Sequence, residues 1–268
     1  MLRRAVDFFR SRRVLRPATG AIAFGVVVLS AACQSPSAAP SGFRPVRSEE
    51  ASRLADIAAM DARLGRIAYR LMTANAELCP HRRPVAGWTL HAASQYGPVI
   101  RTEAEARFGL TGDLPGILSV APDSPAATSG LAEGDLILAI DGTELSTGLV
   151  RSRPSYAGAR ANLDALQAAL DEAGAQDRPT RLTIRRAGET LGIELTPLTA
   201  CAYETQLSLD DGRRARADGR WVEVSAGLLR FAASDDDLAL IVGHEQAHNI
   251  LRHHDGGGVL PQVEGGLA

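Results

Sequence analysis

Near the C-terminal end of this 268-residue chain, His244-Glu245-Gln246-Ala247-His248 combines residue types and a spacing that could hydrolyse a peptide bond. Two histidines four apart on a helix share one face, with Cβ atoms about 6 Å apart. Imidazoles so placed can each meet one zinc ion at about 2.0–2.1 Å. Zinc lowers the pKa of a water from 15.7 towards about 7 and polarises a carbonyl. Glu245, beside the first histidine, would take that water's proton and return it to the leaving amine. The expected site is therefore one Zn2+ on His244 and His248, with Glu245 as catalytic base. The plainer reading is an amphipathic helix with two solvated histidines.

The elements that must position these residues are legible around them. Ser234 is suited to cap a helix, with Asp237 at its third position and Asp235 and Asp236 at the positive end of its dipole. The helix is expected over 235–254 and its end at Asp255-Gly256-Gly257-Gly258. Upstream, 203–209 and 221–224 have strand character, separated by a turn at Asp210-Asp211-Gly212. Far earlier, Leu54, Ile57, Met60, Leu64, Ile67 and Leu71 follow helical spacing and predict one amphipathic helix over 49–75.

The run Val222-x-Val224-Ser225-x-Gly227-Leu228-Leu229, then Ser234 to His248, resembles metallopeptidase family forty-eight, the gluzincins that include HtpX and BepA-like proteases. The resemblance spans about 201–254 and extends to the 49–75 helix. It implies zinc ligands at His244 and His248 and a catalytic base at Glu245. Gln246 departs from it, standing where the family has an apolar residue. A larger departure concerns the third ligand, a glutamate on a later helix in the family. This chain ends 20 residues after His248, and no such helix is expected in it. On a continuing helix, His253 and His254 lie about 180° and 80° around the axis from His244, off the metal face. Leu251 replaces the glycine that would let a metzincin-like chain turn back, and Glu264 sits in a glycine-rich tail with nothing to hold it. Both histidines are expected in second-sphere or surface roles.

Between these parts, Gly116-Ile117-Leu118-Ser119-Val120 leads into Ser124-Pro125-Ala126-Ala127, Ser129-Gly130-Leu131, Gly134-Asp135, an apolar stretch and Asp141-Gly142. Ser124-Pro125 suits a helix start and Gly130 a stop, and Asp141-Gly142 suits a tight turn after a strand. Leu163, Leu166 and Leu170 mark a second helix closed by Gly174, and strands follow on either side of Ala187-Gly188. The stretch 99–198 resembles a bacterial PDZ domain. PDZ domains add an extended peptide to a sheet edge and hold its carboxylate on backbone N–H groups of a loop. By resemblance that loop would be Leu114-Pro115-Gly116-Ile117; alternatively Gly116 merely ends a turn.

The N-terminus carries Arg3, Arg4, Arg10, Arg12, Arg13 and Arg16 before the short apolar run 21–29. This reads as an export signal over 1–32, too short to span a membrane as a helix. Leu29-Ser30-Ala31-Ala32-Cys33 resembles a lipobox and predicts lipidation at Cys33, while Ser11-Arg12-Arg13 partly matches a twin-arginine signal; both export routes stay open. A Ser/Pro/Ala-rich tether follows over 33–48. Export permits Cys79 and Cys201 to form a disulfide that brackets the PDZ-like unit, against the alternative of two buried thiols. The net charge of −2 and the absence of lysine argue against nucleic acid as a partner.

The expected fold is α+β: a PDZ-like β-barrel with two helices, inserted between a first helix (49–80) and a zincin-type peptidase region (200–268) that is incomplete at its C-terminus. The expected protein is a lipid-anchored zinc metalloendopeptidase on the periplasmic side of the bacterial envelope. Gln34 after the lipidated cysteine points to the outer membrane. Its partners would be peptide or protein substrates, misfolded or unassembled envelope proteins by family resemblance, and the membrane through its lipid. The rival is a non-catalytic PDZ lipoprotein acting as a peptide-binding adaptor.

Overall fold

The structure, a computed structural model, describes residues 46–148 and 156–253. The export signal, Cys33 and nearly all of the tether lie outside these residues, as do His254 and Glu264. None of the described helices is long and apolar enough to cross a membrane.

Helix α1 (Val46–Ala74) serves two cores. Leu54 and Ala58 pack into the PDZ-like core, whereas Met60, Leu64, Ile67 and Leu71 pack into the core beneath the histidine helix. Burying a leucine contributes about 1.5–3 kcal/mol, so this one helix joins the units through several such contacts. The join is close at Gly65, where a Cβ would come within 2.2 Å of Thr89 Oγ1. Asn75 donates to the Leu71 carbonyl at the helix end, and a 3₁₀ turn (Ala76–Leu78) leads to Cys79.

Strand β1 (Arg82–Val85) precedes β2 (Trp88–His91), a 3₁₀ turn (Ala93–Gln95), α2 (Pro98–Phe108) and β3 (Gly116–Val120). Then come α3 (Pro125–Thr128), β4 (Leu136–Ile140), β5 (Thr143–Glu144), α4 (Ala157–Ala175), β6 (Thr180–Arg186) and β7 (Glu189–Leu195). The sheet order is β2-β3-β4-β6-β7, with β5 on β4. Two-residue turns join β4 to β5 at Asp141-Gly142 and β6 to β7 at Ala187-Gly188, all four residues having positive φ. That geometry matches the right-handed strand twist. Ser124 Oγ caps α3 by accepting from Ala127 N–H at 3.2 Å.

This unit differs from the expectation in three respects. Its sheet is an open path rather than a barrel. It has three helices, because α2 is inserted between β2 and β3. It also begins earlier than 99, since β2 is its first strand in the sheet order. The stretch 81–115 has few strictly alternating apolar residues, so its elements are held by tertiary contacts such as those of Ala104 and Phe108 with the core.

Strand β8 (Leu198–Cys201) returns to pair antiparallel with β1, closing the neck of the unit. A disulfide joins Cys79 to Cys201, with Cα atoms 5.5 Å apart. Beyond it, β9 (Glu204–Ser208), β10 (Ala215–Ala217) and β11 (Trp221–Ser225) form a sheet in the order β10-β11-β9. Helices α5 (Ala226–Phe231) and α6 (Asp235–Ile250) follow. Val222 and Val224 point into a core with Leu228, Leu229, Leu238 and Val242, against Leu64 and Ile67 of α1. Arg63 of α1 ties down the α5–α6 junction: it donates to the carbonyls of Leu229 and Ser234 and pairs with Asp235.

Candidate peptide groove and metal centre

Helix α6 starts where its sequence requires. Ser234 Oγ accepts from Asp237 N–H at 3.1 Å and the Asp237 carboxylate accepts from Ser234 N–H at 3.0 Å, a reciprocal capping box. Leu238 and Val242 face the core, which leaves His244 exposed and Glu245 and His248 half-buried. The Nε2 atoms of His244 and His248 are 3.2 Å apart, their rings nearly perpendicular. Two nitrogens bound tetrahedrally to one zinc at about 2.05 Å stand about 3.3 Å apart. The separation of the two nitrogens is thus the one that a shared zinc ion would require. Among the described residues, no group of three His, Cys, Asp or Glu side chains gathers as a metal site. Near the C-terminal end of α6, Asn249 donates to the Trp221 carbonyl and accepts from Gly219 N–H, fixing the helix to β11.

The helix is shorter than expected. It ends at Ile250, not at His254, and Arg252 takes a left-handed φ of 55°. The 100° periodicity that would carry His253 away from the metal face stops applying there. The chain turns back, and His253 Nδ1 comes within 2.8 Å of His248 Nδ1.

In the segment Leu114-Pro115-Gly116-Ile117, Gly116 and Ile117 open β3 and Leu114 and Pro115 lead into it. Leu114 N–H donates to the Thr111 carbonyl, Ile117 N–H donates to the Asp135 carbonyl, and the Pro115 carbonyl accepts from Ile137 N–H. Gly116 stands between His91 and Leu136 in the strand registers. Leu114 and Ile117 are buried. In the sheet order β3 lies between β2 and β4, so its own edges are both paired. The sheet path ends in two edge strands, β2 and β7, and the turn that leads into β2 is Ala86-Gly87. Gly87 has a φ of 79°, and a Cβ there would strike Ser124 and Tyr69. The carbonyls of Ala86 and Gly87 accept from Ala126 and Ala121, while among the described residues their N–H groups carry no bond. Across from β2, α4 supplies Ala159 and Leu163. With Leu90, His91 and Pro115 they line a cavity of about 10 Å³, space for about one water.

A fourfold charge cluster, which no spacing in the sequence announces, joins the two regions. Glu204 on β9 receives Arg83 of β1 at 3.3 Å, Arg160 of α4 at 3.4 Å and Arg220 at 3.3 Å. The guanidinium groups of Arg160 and Arg220 also lie 5.4 Å and 5.7 Å from the Trp221 ring centre. The helix that walls the groove is thus attached to the sheet under α6.

Residues 116–154 match the PDZ domain family. The chain contains a PDZ domain. The match begins at β3 and does not reach the segment that carries His244 and His248. Among solved structures, the chain is similar to the HtrA3 PDZ domain bound to a phage-derived ligand (FGRWV), at 24% identity and a TM-score of 0.30, over 44% of this chain and 89% of that one. It is also similar to the HtrA-type protease AlgW with decapeptide, at 22% identity and a TM-score of 0.29, over 43% of this chain and 29% of that one. A third similar structure is a photosystem II D1 C-terminal processing protease, at 19% identity and a TM-score of 0.28, over 45% and 24%. The chain thus spans under a third of either protease. No curated protein matches it.

Proposed function

We propose that this chain is a zinc-dependent endopeptidase of the bacterial envelope, anchored by a lipid on Cys33, whose PDZ domain takes up extended peptide segments of its substrates. The observation that carries the catalytic part is the 3.2 Å separation of His244 and His248 Nε2 atoms. That separation suits two ligands of one zinc ion on a rigid, capped helix. The family match at 116–154 supports the binding part.

Peptide would add as a strand along the free edge of β2, against α4. The unbonded amides of Ala86 and Gly87 at the start of that edge suit a terminal carboxylate. A groove of about 10 Å³ must widen to accept side chains, so Leu90 and Leu163 would part on binding. At the other site, His244 and His248 would hold the metal, which supplies Lewis acidity towards water and the scissile carbonyl. Glu245, next to His244, would take the proton of the attacking water on its carboxylate and deliver it to the amine nitrogen as the C–N bond breaks. Misfolded or unassembled envelope proteins are the proposed substrates.

Casein hydrolysis by the zinc-loaded full chain tests this reading against the Glu245→Gln variant. Hydrolysis lost with Glu245→Gln supports it. No hydrolysis, with peptide binding retained, would replace it by the adaptor reading.

A further inference from the structure

The C-terminus of α6 is a Schellman motif built on histidines. Arg252, at left-handed φ, donates its N–H to Asn249 O at 3.2 Å, and His253 donates its N–H to His248 O at 3.1 Å. This is the paired bonding by which the two residues past a helix end satisfy its last carbonyls. In that motif the residue two past the cap folds back onto the one five positions earlier, commonly through an apolar contact. Here those two residues are His253 and His248, and the contact is a nitrogen–nitrogen hydrogen bond of 2.8 Å between their Nδ1 atoms, with rings 5.0 Å apart. Glycine is the usual left-handed residue at such an end. The arginine that replaces it is anchored by its Nη2 group 3.1 Å from His81 Nε2, two residues past disulfide-bonded Cys79.

We propose that His253 is a positioning residue that fixes the ring and tautomer of His248 for metal ligation, an inference that rests on the reading of His244 and His248 as a zinc pair. A histidine that ligates through Nε2 must carry its proton on Nδ1, and the acceptor of that proton sets the ring's orientation. His248 directs Nε2 towards His244 and Nδ1 towards His253. His253 Nδ1 then accepts, with its own proton on Nε2. The turn at Arg252 thereby recruits a residue that a continuous helix would have carried away. It also connects the metal face to the neck of the PDZ domain through His81.

The test uses the full chain and two variants. His253→Phe keeps the apolar contact of the motif but removes the acceptor, and His253→Gln restores an acceptor. Zinc affinity is read by competition with a chromophoric chelator, and the His248 tautomer by 15N shifts of the metal-free protein. Loss of an outer-shell partner costs about 10–100-fold in metal affinity, so His253→Phe should bind zinc at least tenfold more weakly, with His253→Gln recovering most of that loss. His248 should be Nδ1-protonated in the parent and lose that preference in His253→Phe. Equal affinities in parent and His253→Phe, or equal losses in both variants, would overturn the proposal. If the parent binds no zinc, the zinc-pair reading fails, and the tautomer measurement alone decides the role of His253: an unchanged tautomer in His253→Phe would overturn it.

Discussion

Replacing Asp61 by asparagine should expose a hidden pH dependence of stability. Asp61, on α1, faces Tyr96 of the PDZ domain, whose hydroxyl lies 2.9 Å from His91 Nδ1. Burial raises the Asp61 carboxyl to about 6 and lowers the His91 imidazole to about 4. His91 is only 6% exposed, its Nε2 has no partner among the described residues, and its ring lies against Phe108. With ordinary values of 3.8 and 6.5 and 1.36 kcal/mol per pKa unit, each group is worth about 3 kcal/mol. The signs oppose. Asp61 has a raised folded pKa, so its contribution is full below about 4 and lost as pH rises through about 6. His91 has a lowered one, so its contribution is full above about 6.5 and lost as pH falls towards about 4. Between about pH 4 and 6 the folded chain binds one proton more at Asp61 and one fewer at His91, so the two slopes cancel. In Asp61→Asn only the histidine remains. Relative to the parent, that variant should lose about 2 kcal/mol on going from pH 6.5 to 4.5, read from urea unfolding. His91→Gln should tilt the other way, losing stability relative to the parent as pH rises from 4.5 to 6.5. Slopes of the same sign in the two variants, or no tilt in Asp61→Asn, would refute the reasoning.

Other perturbations separate the remaining parts of the account. Cys79→Ser with Cys201→Ser opens a loop of 122 residues, for which chain entropy sets an upper value of about 5 kcal/mol. Pairing of β1 with β8 already closes the neck, so a loss of about 2–5 kcal/mol in urea is expected, and one below 1 kcal/mol would show the bridge to be dispensable. Ser234→Ala removes the α6 cap and should cost about 1 kcal/mol, read as a lower midpoint at unchanged m. Leu163→Arg puts a charge into the groove wall and should weaken binding of a fluorescent peptide with a free apolar C-terminus at least tenfold, with an unchanged circular dichroism spectrum; unaltered affinity would place the peptide elsewhere.

What the sequence disclosed depended on whether the signal was local. Ser234 and Asp237 mark the start of α6 because a cap is written in adjacent residues, and Asp141-Gly142 marks a hairpin for the same reason. The end of α6 misled, since Arg252 adopts a conformation that favours glycine while a real glycine run stands a few residues further on. The edge strand β2 is hard to read in the sequence because it has only four residues, and its partner β3 lies 24 residues beyond it, across the inserted α2. Leu114-Pro115-Gly116 has the proline and glycine of a loop, yet its Leu114 amide closes a local turn onto Thr111 and its Gly116 opens β3. The gathering of Arg83, Arg160 and Arg220 on Glu204 comes from four separate stretches of chain, and no pattern in one dimension could join them.

The central claim is that one helix face carries a zinc centre. Zinc-edge X-ray absorption on the full chain, loaded with one equivalent of the metal, tests it most directly. The account predicts two imidazole nitrogens at about 2.0–2.1 Å, with the imidazole signal reduced in His244→Ala. Failure to retain one zinc per chain, or a spectrum unchanged in His244→Ala, would contradict it.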